Sequence, residues 1–169
     1  MELTKMRDNI GVLAPIFLLV LSIFFLRHQQ FYLYFFLGGY VLNNILNYLL
    51  KMIIKEPRPL HDRKSLEIGI KNGVRIGPDK FGMPSGHAQT CGFALSYITA
   101  TVQNPIVTGF YLVISGISLF QRYLYNNHSI LQLGVGFVIG IGFGYAIYLT
   151  AHNYITGNME TKRDDEFMD

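Results

Sequence analysis

The chain has 169 residues, room for one domain, and half of them are apolar while only 15% are charged. A soluble domain carries roughly 25% charged residues, so the shortfall points into a membrane. A net charge of +3 is too mild for a nucleic-acid face, and a single cysteine excludes both an internal disulfide and a Cys-based zinc site.

Behind Lys5 and Arg7, the first apolar segment is Ile10–Leu26. No small-x-small cleavage pattern precedes Arg27-His28-Gln29-Gln30, so it reads as a retained span, not a cleaved signal. Four more apolar segments follow: Phe31–Ile54, Ser85–Val102, Pro105–Phe120 and Ser129–Ile155. A crossing helix needs about 20 mostly apolar residues, so the pattern predicts an all-α polytopic membrane bundle of about five transmembrane helices. Links as short as Gln103-Asn104 force antiparallel neighbours. Cys91 lies in the third apolar segment, where it reads as packing. Residues 1–156 form the expected membrane domain, and the mixed-charge tail from 157 to 169 is expected to be disordered.

Two polar breaks interrupt the spans. Lys55–Pro84 holds Lys55, Arg58, Arg63, Lys64, Lys71, Arg75 and Lys80, seven of the chain's 14 basic residues. Arg122–His128 forms a short corner. Counting spans places both breaks on one face of the membrane with the N-terminus, and the C-terminal tail on the other. The positive-inside rule would make the basic face cytoplasmic, but a phosphate site gathers cations for its own reasons. Gly136, Gly140 and Gly144 give the last span one smooth face, suited to packing inside the chain or to a homo-oligomer.

Three polar clusters meet on the shared face. Lys51 lies within an otherwise apolar run, where an ionisable group marks function by default. The alternative is a lysine snorkelling to the headgroups. Arg58 follows between Pro57 and Pro59, which restrict the chain. In Pro84-Ser85-Gly86-His87, Pro84 presets a helix start whose backbone N–H groups suit an anion. Ser85 adds a hydroxyl, Gly86 permits close approach, and His87 exchanges protons near neutral pH. Arg122 offers a bidentate fork, while Gln132 lies four residues after His128 on the same helix face, placed to fix its tautomer.

These spacings resemble the type 2 phosphatidic acid phosphatase (PAP2) superfamily, which also contains the vanadium haloperoxidases. Its pattern places a Lys seven positions before Arg-Pro, then Pro-Ser-Gly-His, then Ser-Arg with His six positions on and Asp four beyond. Here the match runs from Lys51 to Tyr148. Gln121 stands where that Ser is usual and Gln132 where that Asp is usual. Gln132 is shared with the dolichyl diphosphatase branch, as are Lys55-Glu56-Pro57-Arg58-Pro59, Phe81-Gly82-Met83-Pro84-Ser85 and Arg122-Tyr123-Leu124-Tyr125, although that branch often has Ser where Gly86 stands.

The resemblance implies a membrane lipid phosphatase. Lys51, Arg58, Ser85, Gly86 and Arg122 would hold phosphate, His128 would attack phosphorus, His87 would serve as acid and then base, and Gln132 would orient His128. No metal or other cofactor is implied, and Glu56 reads as structural or rim. The favoured substrate is a polyprenyl diphosphate, in the endoplasmic reticulum membrane with a lumenal site. The rivals are a phosphatidate or other lipid monophosphate phosphatase, a vanadate-dependent haloperoxidase and a catalytically silent scaffold.

Overall fold

The computed structural model describes residues 2–59 and 77–166, and the basic residues Arg63, Lys64, Lys71 and Arg75 lie outside that range. Five helices build the described chain: α1 (Glu2–Leu26), α2 (Gln30–Ile54), α3 (Gly86–Val102), α4 (Pro105–Leu124) and α5 (Ile130–Glu166). A single 3-10 turn, Gly77–Lys80, precedes α3.

The helix ends follow local chemistry. Lys55 closes α2 in a left-handed conformation, its N–H returning to the Lys51 carbonyl. Asn104 caps α4 through Ile106 N at 2.9 Å and Val107 N at 3.3 Å, with Pro105 in the first turn. Helix α4 outruns the expected end at Phe120 and carries Arg122 in its last turn, where a cation meets the negative end of the helix dipole. Helix α5 continues to Glu166, past the expected start of a disordered tail. Met159, Glu160, Lys162 and Arg163 are good helix formers, and no proline interrupts them.

Helix α3 is the axis and touches the other four. Its partner along the full length is α5, and small residues permit the approach. A Cβ at Gly136, Gly140 or Gly144 would run into the backbone of Ser85, Gln89 or Phe93. That glycine face is therefore filled by α3 and is not available to a second copy of the chain. On the other flank, the Phe36 ring packs 5.5 Å from Phe93 and 5.4 Å from Tyr97.

Among the described residues, three helices are long and apolar enough to cross a membrane: Asn9–Leu26, Gln30–Ile54 and Ile130–Gly157. Helix α3, one of the five expected spans, has 17 residues. Enclosed by its neighbours, it does not need a lipid-facing surface. Outward residues such as Val20, Ile53 and Val138 are exposed and apolar, a surface suited to lipid tails.

Polar groups inside such a bundle must find partners within it. Gln89 on α3 donates to the carbonyl and the side-chain oxygen of Asn43, each at 3.0 Å, and accepts from Asn47 at 2.8 Å. Asn47 also donates to the Pro84 carbonyl at 3.2 Å, which ties α2 to the start of α3.

Candidate active site

Four segments converge at one end of the bundle: the end of α2 with Glu56–Pro59, the 3-10 turn with the start of α3, the end of α4, and the start of α5. Lys51 is buried, not snorkelling. Its ammonium lies 2.9 Å from Asp79 Oδ1 and donates to the Phe81 carbonyl at 3.1 Å. Arg58 spans the same anion, donating through Nη2 to the Asp79 carbonyl at 2.8 Å and approaching Oδ1 at 3.3 Å. Its Nη1 donates to the Asn127 carbonyl at 3.0 Å and faces His128 Nε2 at 3.1 Å.

The tautomer of His128 follows from its partners. Nδ1 faces two acceptors, the Gly82 carbonyl at 2.9 Å and Gln132 Oε1 at 3.3 Å. The Gln132 amide can point only this way. Its Nε2 lies against the Glu56 carboxylate at 2.8 Å and the Pro57 carbonyl at 2.9 Å, both acceptors, while its Oε1 accepts from Ser129 N at 3.3 Å. Nδ1 therefore carries the proton, and the Nε2 lone pair points at Arg58. Burial first, then the charges of Arg58 and Lys51, push the imidazole well below its usual range, so it stays neutral and unprotonated at Nε2.

His87 and Arg122 form the second half of the site, with Arg122 Nη2 2.8 Å from His87 Nε2. A guanidinium only donates, so Nε2 accepts here. The 3.2 Å approach of the same nitrogen to the Val12 carbonyl becomes a hydrogen bond only when Nε2 carries a proton.

A family model for the PAP2 superfamily matches residues 31–155. The chain belongs to the PAP2 superfamily. This PAP2 chain is 31% identical over 124 residues to a Schizosaccharomyces pombe protein named palmitoyl-protein thioesterase-dolichyl pyrophosphate phosphatase fusion 1, covering 66% of this chain and 18% of that one. It is 30% identical over 112 residues to Saccharomyces cerevisiae dolichyldiphosphatase, covering 60% of this chain and 44% of that one. It is 25% identical over 142 residues to Arabidopsis thaliana lipid phosphate phosphatase epsilon 2, chloroplastic, covering 79% and 44%. The chain spans less than half the length of each of these relatives. No solved structure matches it.

Within the PAP2 chain, Lys51, Arg58, His128 and Gln132 form one connected cluster, with His87 and Arg122 beside it. Ser85 sits at the start of α3, next to them. It is fully buried, its Oγ caps α3 at Ala88 N, and its N–H donates to the Gln132 carbonyl at 3.1 Å. Gly86 faces Asn47 Oδ1, which a Cβ there would meet at 3.2 Å, so its small size serves this helix contact. Gln121 turns away toward α1 and packs on Gly11.

Three contributors escaped the motif reading. Asp79 was hidden because its role depends on a turn distant in sequence from Lys51. Val12 was hidden because α1 carries no motif. Glu56, read as structural or rim, reaches the Gln132 amide at 2.8 Å. One signal was present in the sequence: Ser129 and Gln132 have capping-box spacing, and Ser129 Oγ accepts from Gln132 N at 3.2 Å.

Proposed function

We propose that this PAP2 chain is a lipid phosphatase that removes the terminal phosphate of a polyprenyl diphosphate through a phosphohistidine on His128. The observation that carries this reading is the neutral, Nδ1-protonated His128, with its Nε2 lone pair directed at Arg58 beside Lys51. A phosphoryl group entering between Lys51, Arg58 and Arg122 would draw both guanidinium groups off their imidazoles and meet three cations, the arrangement that stabilises charge on its outer oxygens. His128 Nε2 then forms the N–P bond as the P–O bond to the lipid monophosphate breaks. His87, released by Arg122, takes up a proton and passes it to the leaving oxygen. Water attacks the phosphohistidine, His87 accepts its proton, the electron pair of the broken P–N bond returns to Nε2, and inorganic phosphate leaves.

Two relatives bear dolichyl pyrophosphate phosphatase names, which favours the polyprenyl diphosphate substrate. On this reading the protein lies in the endoplasmic reticulum membrane with its site toward the lumen. The third relative's name favours a second substrate reading, a lipid monophosphate such as phosphatidate. Incubation with terminally labelled polyprenyl diphosphate, followed by alkaline denaturation, is expected to leave acid-labile label on the chain that His128→Ala abolishes. Label on the His128→Ala chain overturns the assignment of the nucleophile. Faster phosphate release from phosphatidate than from the diphosphate selects the second substrate.

A further inference from the structure

The hydrogen bonds that orient His128 do not end at Gln132. Both acceptors on its Nδ1–H hang from one residue. The Glu56 backbone carbonyl holds Gly82 N at 2.8 Å, which aims the Gly82 carbonyl at Nδ1. The Glu56 carboxylate holds Gln132 Nε2 at 2.8 Å, which aims Oε1 at the same proton. The fit is close enough that a Cβ at Gly82 would come 2.5 Å from Gln132 Oε1.

We propose that Glu56 is a positioning residue that supplies, through the Gln132 amide, the negative charge His128 needs when it attacks phosphorus. An imidazole that forms an N–P bond becomes cationic, and a neutral amide offsets that charge weakly. A carboxylate accepting from the amide N–H polarises the amide, so Oε1 becomes a stronger acceptor as the ring gains charge. The proton stays on Nδ1 throughout, and Glu56 forms no bond to substrate. The carboxylate stands one amide away from the nucleophile, so the resting imidazole remains neutral and the charge becomes useful only as the N–P bond forms. This inference rests on His128 as nucleophile.

The test uses the full chain in detergent with farnesyl diphosphate. Glu56→Gln keeps an acceptor for the Gln132 amide but removes the charge. It is expected to lower kcat about tenfold or more, the size of effect seen when an outer partner of an oriented histidine is lost, with KM unchanged. Adding Gln132→Glu to that variant exchanges amide and carboxylate and keeps the capping-box length, so kcat is expected to rise above the Glu56→Gln value. A role confined to folding predicts a double variant no better than the single one, and that result overturns the proposal. So does a Glu56→Gln enzyme with the parental kcat and pH profile. If Glu56→Gln does not fold, Glu56→Asp, which keeps the charge but shortens its reach, carries the same kcat reading. If the parent releases no phosphate, the nucleophile reading fails separately. The His128 Nδ1–H resonance then decides the relay: an upfield move in Glu56→Gln supports it, and an unmoved resonance overturns it.

Discussion

On the proposed reading, the Asp79 carboxylate lies where a phosphoryl oxygen would have to lie. It is half exposed, while the Lys51 side chain it pairs with is only 4% exposed. Burying an ammonium is costly without a nearby anion, so Asp79 steadies the resting cluster and, on the proposed reading, would compete with incoming phosphate. Asp79→Asn separates these effects. The unliganded protein is expected to melt at a lower temperature, because two cations lose a carboxylate. Orthovanadate is expected to bind several-fold more tightly, since a partly exposed pair contributes roughly 1 kcal/mol or less. Vanadate inhibition of phosphate release, with melting followed in parallel, checks both directions, and weaker vanadate binding by Asp79→Asn would reject the competition. No spacing rule announces this residue. Lys51 and Arg58 were legible because the chain had to place cations inside or beside an apolar run. Asp79 sits 28 residues from Lys51 in an ordinary Gly-Pro-Asp-Lys turn, and only folding brings it to them.

At the scale of elements, the contact between α3 and α5 positions the chemistry. His128 and Gln132 ride at the start of α5, and Ser85 and His87 at the start of α3. The Ser85 N–H to Gln132 carbonyl bond locks the two starts together. Gly136 sits one turn below, where a Cβ would come 2.6 Å from the Ser85 carbonyl. The regular glycine spacing was legible as a smooth helix face. Which partner fills it was not, because a stripe of small residues carries no record of whether its neighbour is in the same chain. Gly140→Leu would drive a side chain into the Gln89 backbone and is expected to destabilise by about 1–3 kcal/mol or more, with loss of phosphate release. Gly142 lies on the same helix, and a Cβ there would meet nothing within 4 Å, so Gly142→Ala should leave melting unchanged or slightly raised. Equal losses in both variants would show that glycine as such, and not this contact, matters.

The whole molecule sets the candidate site at one end of the bundle and the aromatic contacts of Tyr154 at the other. Helix α2 runs from Gln30 to Ile54 and delivers Lys51 to the site end, while its opening turn, through Phe31 and Phe35, packs against Tyr154 far along α5. At 1.5 Å per residue, the 24 helical steps from Ile130 to Tyr154 span roughly 36 Å, more than the hydrocarbon core. The alternation of spans in the sequence made it legible that both polar breaks share one end of the bundle. It missed that α1, the segment without motifs, reaches the site through the Val12 carbonyl and braces α4 through the Gly11 carbonyl, which accepts from Ser118 Oγ at 2.9 Å. Cys91 is the chain's one cysteine and is buried, so a Cys91→Ala background gives a clean surface for labelling. In sealed vesicles of uniform orientation, Asp79→Cys and Tyr154→Cys are expected to react with a membrane-impermeant maleimide from opposite sides. One of them should label in intact vesicles and the other only after permeabilisation. If both label from the same side, the cationic cluster and the far end of α5 share a face. A helix of that length would then have to lie along the membrane surface, and the bundle could not present its phosphate site to a lipid headgroup at one face.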